Sequence, residues 1–139
     1  MILIFGGVIL MMSLFHTTRA EDLTAYAGEI LEIDLSELVE KEEGKVEKSF
    51  FEEYAYIRFT VTKEGQEAFA RKMEESGKKA RTEISKIPGY NGDDLAKDLS
   101  SQTVTACYDV FLKGRKSKTR SLECYLAEDV NGYYIYLFG

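Results

Sequence analysis

The chain has 139 residues, 45% hydrophobic and 30% charged, with nine Tyr and eight Phe, which predicts one folded domain with an aromatic-rich core and excludes a disordered chain. Its net charge of −6 argues against nonspecific binding to nucleic-acid phosphates and against an anionic lipid surface. The only His is His16 and the only Cys are Cys107 and Cys124, so a chain processed after residue 20 has no Ser-His-Asp or Cys-His catalysis, no His-based zinc site and no C-x-x-C redox pair.

Met1 to Phe15 is apolar or small throughout, apart from Ser13. It is shorter than the roughly 20 residues of a comfortable transmembrane helix and suits the apolar centre of a secretory signal. Thr18-Arg19-Ala20 permits cleavage before Glu21. No Lys or Arg precedes the run, which leaves open a start further upstream or retention of the segment as an anchor. A buried helix of the domain is the competing reading, and Gly6-Gly7 weigh against it. The expectation is a signal peptide or N-terminal membrane anchor over 1–20 and a single domain over 21–139, secreted or held in the cell envelope. Membrane contact comes only through 1–20 if they stay uncleaved.

In the segment that follows, Leu31, Ile33 and Leu35 alternate with Glu32 and Asp34, which suggests a short strand. Ser36 is a candidate cap for a helical turn, and within the charged stretch Glu40 to Lys48 the run Lys41-Glu42-Glu43-Gly44-Lys45 reads as an exposed connection. Tyr54 to Thr62 is the clearest strand. Ala55, Ile57, Phe59 and Val61 share one face, and Tyr54, Tyr56, Arg58, Thr60 and Thr62 share the other. Lys63 to Ile84 reads as helix, with Phe69, Met73, Gly77, Ala80 and Ile84 on one stripe and Gly77 able to break it in two. Ile87 to Gly92 reads as a turn-rich connection, and Asp93 as the cap of a short helix through Leu99.

The last third predicts a three-stranded meander. Gln102–Leu112, Thr119–Ala127 and Tyr133–Phe138 are the strands, joined through Lys113–Lys118 and through Glu128–Gly132, where Gly132 suits a tight turn. The fold class is therefore α+β: an antiparallel sheet with a C-terminal three-stranded meander, covered on one face by an amphipathic helix. In outline this order is similar to small cystatin-like and NTF2-like domains, a likeness of element pattern that no motif carries.

Two registers compete in the meander. A symmetric loop sets Cys107 opposite Cys124, which suits a disulfide in an exported chain. A one-residue slip gives a cleaner aliphatic face, with Val104, Ala106, Tyr108 and Val110 beside Leu122, Cys124, Leu126, Ile135 and Leu137, and sends the two cysteines to opposite faces. A bulge is one way to reconcile them. The cysteine pair is the favoured reading, so a Cys107–Cys124 disulfide is expected.

The carboxylate doublets Glu52-Glu53, Glu74-Glu75, Asp93-Asp94 and Glu128-Asp129 read as solvated surface, and none forms a calcium loop. Asp109 stands out inside an apolar strand. No catalytic, cofactor-binding or metal-binding residue is assigned. Tyr125, Tyr134, Tyr136 and Phe138 are the candidate interaction surface, since Tyr combines large apolar area with a polar tip. The functional expectation is a small exported or membrane-anchored binding domain without catalytic activity. Its partner would be a protein or cell-envelope component, with no nucleic acid and no cofactor. A carboxylate-dependent hydrolase of the cell envelope is the alternative.

Overall fold

The computed structural model describes residues 22–48, 53–81, 94–113 and 119–139. In chain order the elements are α1 (Leu23–Leu31), β1 (Val39–Lys48), β2 (Glu53–Val61), α2 (Lys63–Glu75), α3 (Asp94–Ser100), β3 (Thr103–Lys113), β4 (Thr119–Asp129) and β5 (Gly132–Phe138). The strands make one antiparallel sheet in the order β1-β2-β5-β4-β3. The chain is thus α+β, and the C-terminal meander β3-β4-β5 is part of the sheet. The expected signal or anchor over 1–20, the turn over Ile87–Gly92, the Asp93 cap and the tip of the β3–β4 connection lie outside the described residues.

β2 shows how sequence becomes layer. Ala55, Ile57, Phe59 and Val61 are all buried, and they join Ile135 and Leu137 of β5, Leu122, Cys124 and Leu126 of β4 and Tyr108 and Val110 of β3 in one apolar cluster. Phe69 and Met73 of α2 belong to the same cluster, as do Leu23, Ala27 and Leu31 of α1, which recur every four residues along one stripe. Gln66 fixes α2 to the sheet, because its buried Nε2 donates to the carbonyls of Ala127 (3.0 Å) and Tyr134 (3.1 Å).

The helix ends are set by chemistry local to each. Asp22 accepts from Ala25 N–H at the start of α1, and Thr62 accepts from Gly65 N–H at the start of α2. Gly77 ends α2 rather than breaking it in two: it takes φ 85°, Lys78 N–H returns to Met73 O and Gly77 N–H returns to Glu74 O. Ala80 is therefore off the helix. It is exposed and makes an isolated antiparallel bridge to Tyr108. Ile84 lies outside the described residues.

Residues 31–48 depart most from expectation. Leu31, Ile33 and Leu35 do alternate buried with exposed neighbours, but α1 ends at Leu31 and no strand follows until Val39. Glu32 sits at φ 58°, and Ile33 N–H closes on Gly28 O, so the chain turns there. Ser36 caps no helix. It donates to Asp34 Oδ1 inside a turn. The charged stretch expected to be a connection is β1, an edge strand. Its charges suit an edge, where they discourage pairing with another chain, and Val46 turns inward to the core.

In the meander the slipped register holds from Ala106 onward. Cys107 lies opposite Tyr125, and Tyr108 opposite Cys124. A bulge falls between Val104 and Ala106, so Thr103 and Val104 keep the symmetric alignment, opposite Glu128 and Ala127. Cys107 and Cys124 therefore belong to different apolar clusters, one on each face, and both are free thiols. The expected disulfide is absent because the one-residue slip turns one of the two side chains through the sheet.

Candidate functional site

The second face of the sheet carries the residues singled out as an interaction surface. Register brings them together: Tyr125 pairs with Tyr136 across β4–β5, and Phe138 and Tyr136 stand opposite Tyr56 and Arg58 across β2–β5. Their rings touch in tilted pairs, Tyr136 to Phe138 at 5.6 Å and Tyr125 to Phe138 at 6.1 Å between centroids. They do not form an open surface. Tyr125, Tyr136 and Phe138 are 0% exposed and pack with Cys107, Ala127 and with Ala96 and Leu99 of α3; Tyr134 is half-buried at the margin. The short helix α3 lies against this face, which the sequence pattern had left uncovered.

Arg58 organises the polar side of this face. It stands on β2 where an outward residue is required, but α3 and the Tyr rings cover it to 14% side-chain exposure. One guanidinium nitrogen donates to Asp98 of α3 at 2.7 Å and the other to Glu43 of β1 at 2.8 Å. The guanidinium lies 5.6 Å from the Tyr134 ring centroid and 6.0 Å from that of Tyr136. Its Nε is buried with no hydrogen-bond partner among the described residues. Burial opposes the charge on Arg58, and Tyr136, Asp98 and Glu43 outweigh it, so the group stays cationic. Burial likewise tends to raise the Glu43 carboxyl, but Arg58 holds it below the usual carboxylate range. The Tyr136 hydroxyl donates to Gln102 Oε1 at 2.6 Å, and Gln102 in turn donates to Asp129.

A second polar group lies further along the same face. Asp109 and Glu123 are cross-strand neighbours, and Arg81 bridges them: its Nε meets Asp109 Oδ2 at 2.7 Å and its Nη2 meets Asp109 Oδ1 and, at 3.2 Å, Glu123 Oε2. Tyr125 donates its hydroxyl to Glu123. Hydrogen bonding to Arg81 holds the Asp109 carboxyl below its ordinary range. The sequence marked Asp109 as unusual inside an apolar strand without naming its partner. Arg81 sits just beyond α2, on the bridge that Ala80 makes to β3, a contact with no sequence signal. Glu43 and Asp98 were missed for another reason: β1 was not expected as a strand, and α3 had no face assigned.

Burial pushes the Cys107 thiol up to about 11 and raises Cys124 as well, so burial favours the protonated thiol over the nucleophilic thiolate at both. Among the described residues no group of three or more His, Cys, Asp or Glu is arranged to hold a metal ion, and no helix is long and apolar enough to cross a membrane. An open depression of about 440 Å³ lies between α1 and the turn over 32–36, lined by Asp22, Thr24, Glu32, Asp34 and Ser36 among others. It shares no residue with the tyrosine face. Compared with known proteins, the chain matches no family model, no curated protein and no solved structure.

Proposed function

We propose that this chain is a small exported or membrane-anchored binding domain, with residues 1–20 as its address and 21–139 as its working domain, and that it catalyses nothing. Its partner is a protein or cell-envelope component, with no nucleic acid and no cofactor. The reading is carried by the way the charged groups of the tyrosine face are used. Arg58 is tied to Glu43 and Asp98, and Arg81 to Asp109 and Glu123. These groups cross-link elements of the fold. Among the aromatic side chains of this face, Tyr54 and Phe111 are exposed and Tyr134 is half-buried at the margin, and rings at the surface suit contact.

The alternative, a carboxylate-dependent hydrolase, draws on the opposition of Asp109 and Glu123 across β3–β4. Such an enzyme needs one carboxyl held protonated near neutral pH. Asp109 is shifted the other way by Arg81, which favours the binding reading.

The test uses the full chain with a C-terminal affinity tag, expressed in a bacterial host and recovered by fraction. Mass spectrometry should find it outside the cytoplasm, and capture should retain a partner that a Tyr54→Ala/Tyr134→Ala variant of unchanged thermal stability releases. A full-length product confined to the cytoplasm contradicts the address. Equal capture by both forms contradicts the surface.

A further inference from the structure

The two faces of the sheet are covered very differently. One is packed by α1 and α2 together, through Leu23, Ala27, Leu31, Phe69 and Met73. The tyrosine face is packed by α3, a helix of seven residues that fully buries Leu99 and brings Ala96 to 8% exposure. A helix this short does not hold its shape in water without tertiary support. Its ionic tie, Asp98 to Arg58, has its carboxylate 51% exposed. Arg58 Nε is buried with no hydrogen-bond partner among the described residues, a cost that the closed state bears.

From this imbalance we infer that α3 is a displaceable cover: it leaves the tyrosine face as a unit while the sheet and the α1–α2 layer stay folded, and the Arg58–Asp98 pair is the latch that holds it closed. In the open form Tyr125, Tyr136, Phe138 and the Cys107 thiol meet solvent. Openings of this kind fall at the low end of the range of native-state free energies, since few apolar contacts are broken. The inference concerns the fold alone and stands or falls separately from the proposed binding role.

The two thiols supply both probe and control. Cys107 packs in the cluster with Ala96 and Leu99, whereas Cys124 packs on the other face with Tyr108, Leu122 and Leu126. The native full-length chain is exposed to iodoacetamide, and the label is mapped to each cysteine by peptide mass spectrometry over time. Cys107 should be modified at least about tenfold faster than Cys124, as sub-global and global openings differ in population by that much or more. Asp98→Asn should speed Cys107 by roughly threefold to tenfold, the range expected for a partly exposed charge-assisted pair, and leave Cys124 unchanged. Leu99→Ala should speed it by about a hundredfold, as loss of a buried Leu contact implies. Equal rates at both cysteines in the parent chain, or variants that speed both together or neither, would overturn the cover.

Discussion

Cys107 and Cys124 lie on adjacent strands yet project from opposite faces of the sheet, Cys107 against Tyr125 and Cys124 against Tyr108. A disulfide between them would require β3 to slide by one residue against β4. That slide would carry Tyr108 and Val110 out of the core shared with Leu122 and Leu126. Denatured, non-reduced protein isolated from an oxidising compartment should therefore titrate two free thiols. A count of zero would restore the symmetric register.

Phe69 is fully buried in the cluster that holds Ile57, Phe59 and Ile135. Phe69→Ala should cost about 3–5 kcal/mol of unfolding free energy, from lost transfer and the cavity left behind. Urea denaturation measures this. A cost below about 1 kcal/mol would mean that α2 packs elsewhere.

The Arg81–Asp109 contact predicts a pH dependence with a definite sign. Its folded-state carboxyl is shifted down, so Asp109 binds its proton less readily in the fold than in the unfolded chain. The stabilisation is present above the unfolded value, about 3.9, and is lost as pH falls through the lower folded value. The denaturation midpoint of Asp109→Asn should lie below that of the parent at pH 7, and the two should converge at the acid end. A difference that persists unchanged below about pH 3 would assign the effect to packing instead.

Gly44 sits at φ 126° in the middle of β1, and a Cβ there would lie 2.0 Å from the Tyr56 carbonyl oxygen. No side chain fits without moving the β1 backbone off β2. Gly44→Ala should destabilise by about 2 kcal/mol or more, combining backbone strain with the clash. Hydrogen exchange should show the loss concentrated in β1. A neutral substitution would imply that β1 pairs in another register.

The expectations that held came from residues whose pattern and environment agree. β2 alternates strictly because one of its faces meets an apolar cluster along its whole length, and Tyr133 to Phe138 reads as a strand because β-branched and aromatic residues fill it. β1 was illegible for a physical reason: an edge strand keeps its charges in water, so Glu40 to Lys48 carries the composition of a loop. α1 hid behind the Leu31-Glu32-Ile33-Asp34-Leu35 alternation, which is real in burial but belongs to a helix end and a turn. The tyrosines clustered on one face as their register required. Their burial depended on α3, whose Ala96 and Leu99 carry too little pattern to announce a partner surface. The bulge at Thr105 was needed to place Val104 and Cys107 together, and a one-residue insertion leaves no mark in hydrophobic periodicity.

The strand order has a consequence for how the molecule comes to be. β1 with β2, and β3 with β4, are neighbours in sequence and can zip up locally, but β5 is the keystone between them, bonded to β2 from Tyr56 to Val61 and to β4 from Glu123 to Asp129. Until β5 arrives, the chain is two ribbons with no shared sheet, and an isolated two-stranded ribbon is marginal in water. Insertion of β5 joins Tyr56 to Phe138 across most of the domain, a long-range closure of the kind that slows folding. A chain cut before Gly132 would keep both ribbons in its sequence and lose the means to unite them, and the unpaired sides of β2 and β4 would stand open to other copies of the same chain.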